Sequence, residues 1–166
     1  MFYTKIFDEL NNNGVRYLVI GGIAVNLHGY DRVTGDIDIM ISFSEENIEK
    51  FKSFVEKLGF KPKAPVSIKD FADKDKRKEW MEEKNAKVFT VYNPSNMLES
   101  IDVMIMEYID FELAYKNMEY AEASGLRIPL VSINDLIKLK KISGRERDKT
   151  DIMALQTIKK LRNEKK

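Results

Sequence analysis

The chain has 166 residues, of which 43% are hydrophobic, so it is long enough to bury one core. It contains no cysteine, which excludes a disulfide framework and a zinc–thiolate site. The net charge of +1 does not by itself indicate a polyanionic partner.

Hydrophobic periodicity and turn residues predict alternating helices and strands along the chain. An amphipathic helix is expected over 1–10, then a buried strand over 15–20 and a short helix over 23–28. Further helices are predicted over 44–58, 68–84, 111–118, 132–142 and 146–161, and further strands over 37–41, 87–92, 99–106, 119–123 and 126–131. This order predicts an α/β or α+β fold, with a short mixed sheet flanked by helices and a C-terminal helical tail. We expect a single domain over 1–166, divided into a core over about 1–110 and a hairpin with a basic helical tail over about 111–166.

No apolar run approaches the ~20 residues that a helix needs to cross a bilayer. The first ten residues carry acidic side chains, unlike a secretory signal. We therefore expect no membrane partner and a cytoplasmic location.

Two carboxylates interrupt the apolar strand that follows the first short helix. Because side chains alternate along a strand, Asp36 and Asp38 project from one face and Ile37 and Ile39 from the other. Neighbouring like charges repel, and a divalent cation between them relieves the repulsion. Hard oxygen ligands favour Mg²⁺ or Mn²⁺, so Asp36 and Asp38 are candidate metal ligands.

A pair of glycines, Gly21 and Gly22, lies at the predicted turn from the buried strand into the short helix. Glycine allows an anion to approach the backbone closely, and the first turn of a helix offers unpaired N–H groups and a favourable dipole. We therefore predict a phosphate-binding turn here, beside the predicted metal site.

These residues together resemble the signature of the DNA polymerase β type nucleotidyltransferase superfamily: Gly21-Gly22, thirteen residues, then Asp36-Ile37-Asp38. That family takes a third carboxylate from a later strand, and Asp102 in Ser-Ile-Asp-Val-Met fits this description. The segments from Leu136 onward resemble the tail of small bacterial and archaeal members, which include minimal nucleotidyltransferases and components of abortive-infection and toxin–antitoxin systems. Many minimal members have Gly-Ser where this chain has Gly-Gly, so a hydroxyl that could touch phosphate is missing.

The resemblance implies transfer of a nucleoside monophosphate from a nucleoside triphosphate, ATP being the expected one, to a hydroxyl acceptor with release of pyrophosphate. It implies that Asp36, Asp38 and Asp102 are catalytic and hold the metal ions, and that Gly21 and Gly22 hold phosphate oxygens. The acceptor is left open between a protein, an RNA end and a small hydroxylated molecule. A toxin or antitoxin protein is a further candidate partner.

Charge is distributed unevenly: residues 1–126 carry 16 Lys and Arg against 22 Asp and Glu, whereas residues 127–166 carry 12 against 5. A triphosphate bridging a metal on one side and basic side chains on the other suits this polarity. Candidate phosphate ligands are Arg32, Lys138, Arg145 and Arg147. For Arg32, neutralisation of the carboxylate cluster is an equally good interpretation. Lys138 shares its helix with Lys140 and Lys141, and the sequence does not show which of them faces the site.

Two other functions remain open at this stage. A catalytically silent antitoxin or interaction module could retain the fold without turnover, although the presence of Asp102 favours the enzyme. A metal-dependent phosphatase or nuclease would also use paired aspartates, but the preceding Gly-Gly turn speaks against it.

Overall fold

The computed structural model describes residues 2–166, so Met1, which the predicted first helix includes, lies outside the described residues. Seven strands form one mixed sheet in the order β3-β4-β5-β2-β1-β7-β6. The strands are β1 (Tyr17–Ile20), β2 (Ile37–Ile41), β3 (Lys61–Pro62), β4 (Val88–Asn93), β5 (Asn96–Met104), β6 (Glu119–Ala123) and β7 (Leu126–Leu130). β2 pairs in parallel with β5 and antiparallel with β1, and β7 joins the sheet in parallel with β1. The predicted hairpin over 119–131 therefore belongs to the same sheet as the aspartate strands.

Eight helices surround the sheet within residues 2–166. They are α1 (Phe2–Asn12), α2 (Gly21–His28), α3 (Glu45–Leu58), α4 (Ile68–Ala72), α5 (Lys74–Lys84), α6 (Phe111–Lys116), α7 (Ile133–Ser143) and α8 (Glu146–Glu164). None of them is long and apolar enough to cross a membrane. The α/β fold predicted from the sequence is confirmed, with a larger sheet than expected.

The single charged helix predicted over 68–84 is two helices. The Asp73 side chain accepts hydrogen bonds from the backbone N–H groups of Asp75 and Lys76, and so caps the start of α5. A side-chain cap of this kind favours a new helix start over continuation of the preceding helix. The break turns α4 and α5 separately onto the sheet.

One face of the sheet carries the main aromatic core. Phe7 of α1 stacks on Tyr17 of β1, with ring centroids 6.2 Å apart. Phe71 of α4 and Trp80 of α5 both stack on Phe89 of β4. Because Phe89 is paired with Val103, these helices lie on the face that carries the alternating isoleucines of β2. The aspartates of β2 and β5 therefore project from the opposite face, hereafter the aspartate face.

Candidate active site

Strand pairing places two of the predicted carboxylates side by side. Asp38 of β2 and Asp102 of β5 are direct partners in the parallel register, so their side chains project from the same face of adjacent strands. Ile37 and Val103, their neighbours in the chain, are fully buried on the other face. The apolar core thus fixes the register that brings residues 64 positions apart into one site.

Gly21 lies against Asp38. It has φ of +67°, and a side chain there would overlap the Asp38 carboxylate, with the Asp38 Cβ only 2.9 Å from the Cβ position. Glycine is required for both reasons, since L-residues rarely adopt this backbone conformation. The helix α2 begins at Gly21, so its first turn opens beside the carboxylate of Asp38.

The other two aspartates differ in their surroundings. Asp102 accepts a hydrogen bond of 2.5 Å from the hydroxyl of Thr90, its partner on β4. Asp36 lies just before β2 and is exposed. Thr90 was not among the residues predicted from the sequence, because its role depends on strand pairing.

The charges of this cluster act on Asp38. Burial, then the negative charges of Asp102 and Asp36, raise the pKa of Asp38 to about 6, against opposing effects of Lys140 and Arg145. The protein's own cations therefore leave part of the negative charge at this position uncompensated.

The donor set of Asp38 and Asp102 fits a hard divalent cation, because both are carboxylates on one face and their mutual repulsion is unrelieved. Asp36, the third expected ligand, is exposed and is not gathered with this pair. Within residues 2–166, no group of three or more acidic, histidine or cysteine side chains is gathered closely enough to hold a metal ion. Asp36 thus stays a prediction as a ligand and would have to turn towards the pair.

The segment between α2 and β2 is tied over the start of α2. The side-chain amide of Asn26 exchanges two hydrogen bonds with the backbone of Arg32, at 3.0 and 3.2 Å. The hydroxyl of Tyr3 lies 3.3 and 3.1 Å from the carbonyl oxygens of Thr34 and Gly35, to which it can donate. These contacts set the position of the Arg32 and Thr34 side chains.

Both side chains converge on Gly22. A Cβ built on Gly22 would lie 2.5 Å from Thr34 Oγ1 and 2.9 Å from Arg32 Nη2. A hydroxyl and a guanidinium, both hydrogen-bond donors, therefore lie next to the first turn of α2. Arg32 was predicted from the sequence as a phosphate ligand, and Thr34 was not. The only available signal was the absence of a hydroxyl at Gly22, which suggests that another residue could supply one.

A buried ion cluster joins this segment to the C-terminal helices. Arg32 pairs with Asp151 of α8 through Nε (2.8 Å) and Nη2 (3.0 Å). Lys140 of α7 lies 2.8 Å from Asp151 and 3.1 Å from Asp148. Arg145 pairs with Asp148 at 3.1 Å. Three cations next to the aspartate face are thus held by Asp148 and Asp151. The carboxylate that Arg32 neutralises is therefore Asp151 of α8 and not the predicted metal-binding cluster, and its contact with phosphate stays a prediction.

The remaining predicted phosphate ligands are placed differently. Lys138 and Arg147 are exposed, and neither forms an ion pair among residues 2–166. Lys140 is the lysine of α7 that is buried near Asp38, whereas the sequence analysis named Lys138. The roles of Lys138 and Arg147 stay predictions, and the structure favours Lys140 and Arg145 for the same task.

The single histidine lies away from the aspartates. His28 is buried at the end of α2, where Nε2 is 2.9 Å from the carbonyl oxygen of Val131 and Nδ1 is 3.3 Å from Arg162. Burial lowers the pKa of His28. These contacts connect α2 to β7 and α8, which is a structural role.

Comparison with known protein families and with curated proteins gives no match. Solved structures do match. The lincosamide antibiotic adenylyltransferase LnuA, in a lincomycin-bound crystal structure, is 19% identical with a TM-score of 0.61, covering 95% of this chain and 96% of that one. An antigenic nucleotidyltransferase-like protein from Paracoccidioides brasiliensis is 16% identical with a TM-score of 0.59, covering 96% and 76%. The crystal structure of ANT(2")-Ia in complex with adenylyl-2"-tobramycin is 14% identical with a TM-score of 0.55, covering 97% and 92%. Identities this low carry the fold alone, and on that basis this chain has the nucleotidyltransferase fold.

Proposed function

We propose that this protein is a metal-dependent nucleotidyltransferase, which moves a nucleoside monophosphate from a nucleoside triphosphate to a hydroxyl acceptor. ATP is the expected triphosphate. The observation that carries the proposal is the pairing of Asp38 with Asp102, next to the helix start at Gly21, within a nucleotidyltransferase fold. Carboxylates and an anion-binding turn side by side are the two parts that a metal-bound triphosphate requires.

In this proposal, different residues of the site bind the metal, accept the proton and bind the phosphates. Asp36, Asp38 and Asp102 would hold Mg²⁺ or Mn²⁺, which when bound neutralises phosphate charge and favours a deprotonated acceptor hydroxyl. Asp102 lies at the acceptor side of the site and accepts the hydroxyl proton. Backbone N–H groups at Gly21 and Gly22 orient the leaving pyrophosphate.

Cationic side chains stabilise the charge that develops on the phosphates. Arg32 lies next to Gly22, and Lys140 and Arg145 act on Asp38, so these three are the best placed for this role. Lys138 and Arg147 are proposed as further contacts of a bound triphosphate. Positioning and cations supply most of the catalysis in phosphoryl transfer.

A small hydroxylated molecule is the favoured acceptor class. Two of the structural neighbours act on antibiotics, a lincosamide for LnuA and tobramycin for ANT(2")-Ia, as their names and bound molecules state. An RNA end or a protein remains an alternative acceptor. We further propose that the protein acts in the cytoplasm, and in a toxin–antitoxin or phage-defence system if its acceptor is a cellular component.

The reaction is tested with labelled ATP, Mg²⁺ and candidate acceptors: lincomycin, tobramycin and a cell extract. Label is expected to transfer from α-labelled but not from γ-labelled ATP, because attack at the α-phosphorus releases pyrophosphate. Asp102→Asn should lower transfer by a factor of at least about 100 while triphosphate binding persists. Transfer of γ-label instead would identify a kinase and refute the proposal.

One observation favours a second candidate, a catalytically silent module with this fold: the three aspartates are not gathered into a metal-holding group within residues 2–166. Binding of Mg·ATP with no transfer to any acceptor in any extract would favour this second candidate.

A further inference from the structure

The β4–β5 hairpin extends beyond the strand that carries Asp38. β5 runs over Asn96–Met104, whereas β2 begins at Ile37, whose partner on β5 is Ile101. The first five residues of β5 therefore project past β2. Of these, Ser100 pairs with Tyr92 and Asn96 with Asn93 of β4, and the register shifts between the two pairs. This overhang ends at Ser100, two residues before Asp102.

Side chains on the aspartate face of the overhang form a strip that starts at Asp102. Thr90 is paired with Asp102, and Tyr92 with Ser100, one pleat further out. Leu98, two residues before Ser100 along β5, alternates onto the same face, lies where the register with β4 shifts, and is 87% exposed. Thr90, Tyr92, Leu98 and Ser100 are here called the hairpin platform. The helices α4 and α5 pack on the other face through Phe89, and the platform side chains stay partly or fully exposed.

The order of the strands indicates which of the two reactants, triphosphate or acceptor, can bind on the hairpin platform. Across the sheet, β4 and β5 lie on one side of Asp38, and β1 with Gly21 lies on the other. Nucleophile and leaving group are roughly in line on opposite sides of the α-phosphorus. If pyrophosphate leaves at Gly21, the acceptor must approach over β5 and β4. This step rests on the proposed function.

The side chains of the hairpin platform indicate which class of acceptor can bind there. The platform offers an aromatic ring, an exposed aliphatic side chain and two hydroxyls. Its neighbouring charges are the Asp102 carboxylate, which accepts a hydrogen bond from Thr90 and is a proposed metal ligand, and the cation of Lys61, whose residue is paired with Tyr92. β3, β4 and β5 contain one other carboxylate, Glu99, which is hydrogen-bonded to Asn93 on the opposite face. The other carboxylates beside the platform, Asp36, Asp38 and Asp102, are the proposed metal ligands, so a bound metal would offset their attraction for a polycationic acceptor.

We propose that the acceptor binds on the hairpin platform, with its ring on Tyr92 and Leu98 and its hydroxyl at Asp102, and that it is an uncharged compound with an apolar ring. In the transfer, the acceptor oxygen forms a bond to the α-phosphorus, and the bond from that phosphorus to the bridging oxygen breaks. Pyrophosphate leaves with the electron pair, and the acceptor proton passes to the Asp102 carboxylate. Tyr92 and Leu98 are specificity residues that touch the acceptor and not the triphosphate.

The test uses the whole chain saturated with Mg·ATP and two matched probes: phenyl β-D-glucoside, and its 4-aminomethyl derivative, which adds one positive charge. Amide NMR shifts with the uncharged probe are expected at residues 90–92 and 98–100. Tyr92→Ala should weaken its binding about fivefold, Tyr92→Phe should restore it, and both variants should keep the wild-type thermal shift with Mg·ATP. The charged probe should bind more weakly.

Several results would overturn the inference: no binding of the uncharged probe, tighter binding of the charged one, or shifts confined to the groove of about 620 Å³ lined by Tyr3, Leu27 and Leu126. A fourth would be conversion of a dimer to a monomer by Leu98→Glu with probe binding unchanged, which would make the platform an interface between copies. Absence of any thermal shift of the wild type with Mg·ATP is a separate result, which refutes the proposed function itself.

Discussion

Among individual residues, Asp38 responds most strongly to the charges of the candidate site. Burial and two nearby carboxylates raise its pKa to about 6, above the ordinary value of 3.8. The folded state therefore binds the Asp38 proton more tightly than the unfolded chain does. The stability that this group contributes is present below about pH 4 and is lost as the pH rises through 6. At pH 7 the ionised Asp38 therefore lowers the free energy of unfolding by the full amount.

Removing this charge gives the first prediction. Asp38→Asn should raise the free energy of unfolding of the metal-free protein at pH 7 by about 1 kcal/mol, because one pKa unit is worth about 1.4 kcal/mol and part of the site is solvated. The same variant should lose the rise in melting temperature that Mg·ATP gives the wild type. Thermal unfolding with and without Mg·ATP measures both effects. A variant that keeps the full Mg·ATP shift would exclude Asp38 from the metal site.

The second prediction compares substitutions at Gly22 and Gly35, which lie at the two ends of the segment between β1 and β2. Gly22→Ala places a Cβ 2.5 Å from Thr34 Oγ1, so the hydroxyl and the Arg32 guanidinium must move. Gly35→Ala meets nothing within 4 Å. We expect Gly22→Ala to weaken Mg·ATP binding about tenfold and Gly35→Ala to leave it near wild type, by calorimetry. Equal affinities in the two variants would show that Thr34 and Arg32 do not shape the phosphate-binding turn.

Among the elements, α7 and α8 are held to the segment before β2 by buried charges. Lys140 is 4% exposed and touches both Asp148 and Asp151. Burial alone would raise the pKa of Asp148, but contacts with Ser143, Lys140 and Arg145 outweigh it and lower the pKa to about 2. Stability from this group is present above about pH 4 and is lost as the pH falls towards 2.

The third prediction compares two lysines on α7. Lys140→Met leaves two buried carboxylates with one fewer cation, and should cost about 3 to 5 kcal/mol of unfolding free energy. Lys138→Met changes an exposed side chain on the same helix and should cost less than about 0.5 kcal/mol. Urea unfolding at pH 7 measures both. Similar losses in the two variants would contradict the role of Lys140 in joining the helices.

Most helices and strands were predictable because they follow from patterns of neighbouring residues, such as apolar alternation and turn residues. Alternating isoleucines fixed the face of β2, and the two glycines marked the start of α2, which begins at Gly21 and not at Ile23 as predicted. The division at Asp73 was missed, because a side-chain cap inside a run of charged residues leaves no break in periodicity. Local pattern therefore determined the order of the elements but not every boundary.

The candidate site was only partly predictable, for a different reason. Asp38 and Asp102 follow from residue type within apolar strands. Arg32, however, finds its partner Asp151 119 positions later, and only the folded chain shows that Lys140 and not Lys138 is buried beside it. A 3.6-residue repeat does not by itself distinguish a lysine that is exposed from one that is buried against acids contributed by another helix.

At the scale of the whole molecule, the acidic and basic parts of the chain meet at the candidate site. Residues 1–126 have a net charge of −6 and residues 127–166 of +7, and the basic part supplies Lys140 and Arg145 near Asp38. A triphosphate bound as proposed would be attracted by the basic helices and by a metal held at the aspartates. This attraction acts partly through solvent, so dissolved salt should screen it.

The fourth prediction follows from this charge distribution. Raising KCl from about 50 to about 500 mM shortens the screening length by roughly threefold, and should weaken ATP binding in constant Mg²⁺ by about tenfold. AMP carries fewer charges and lacks the phosphates expected to reach Gly21, Arg32 and the basic helices, so its weaker binding should change much less. Calorimetric titrations of both nucleotides over the same salt series measure the two slopes. Equal slopes would mean that the β- and γ-phosphates do not lie among these cations, which would contradict their proposed placement between Gly21 and the basic helices.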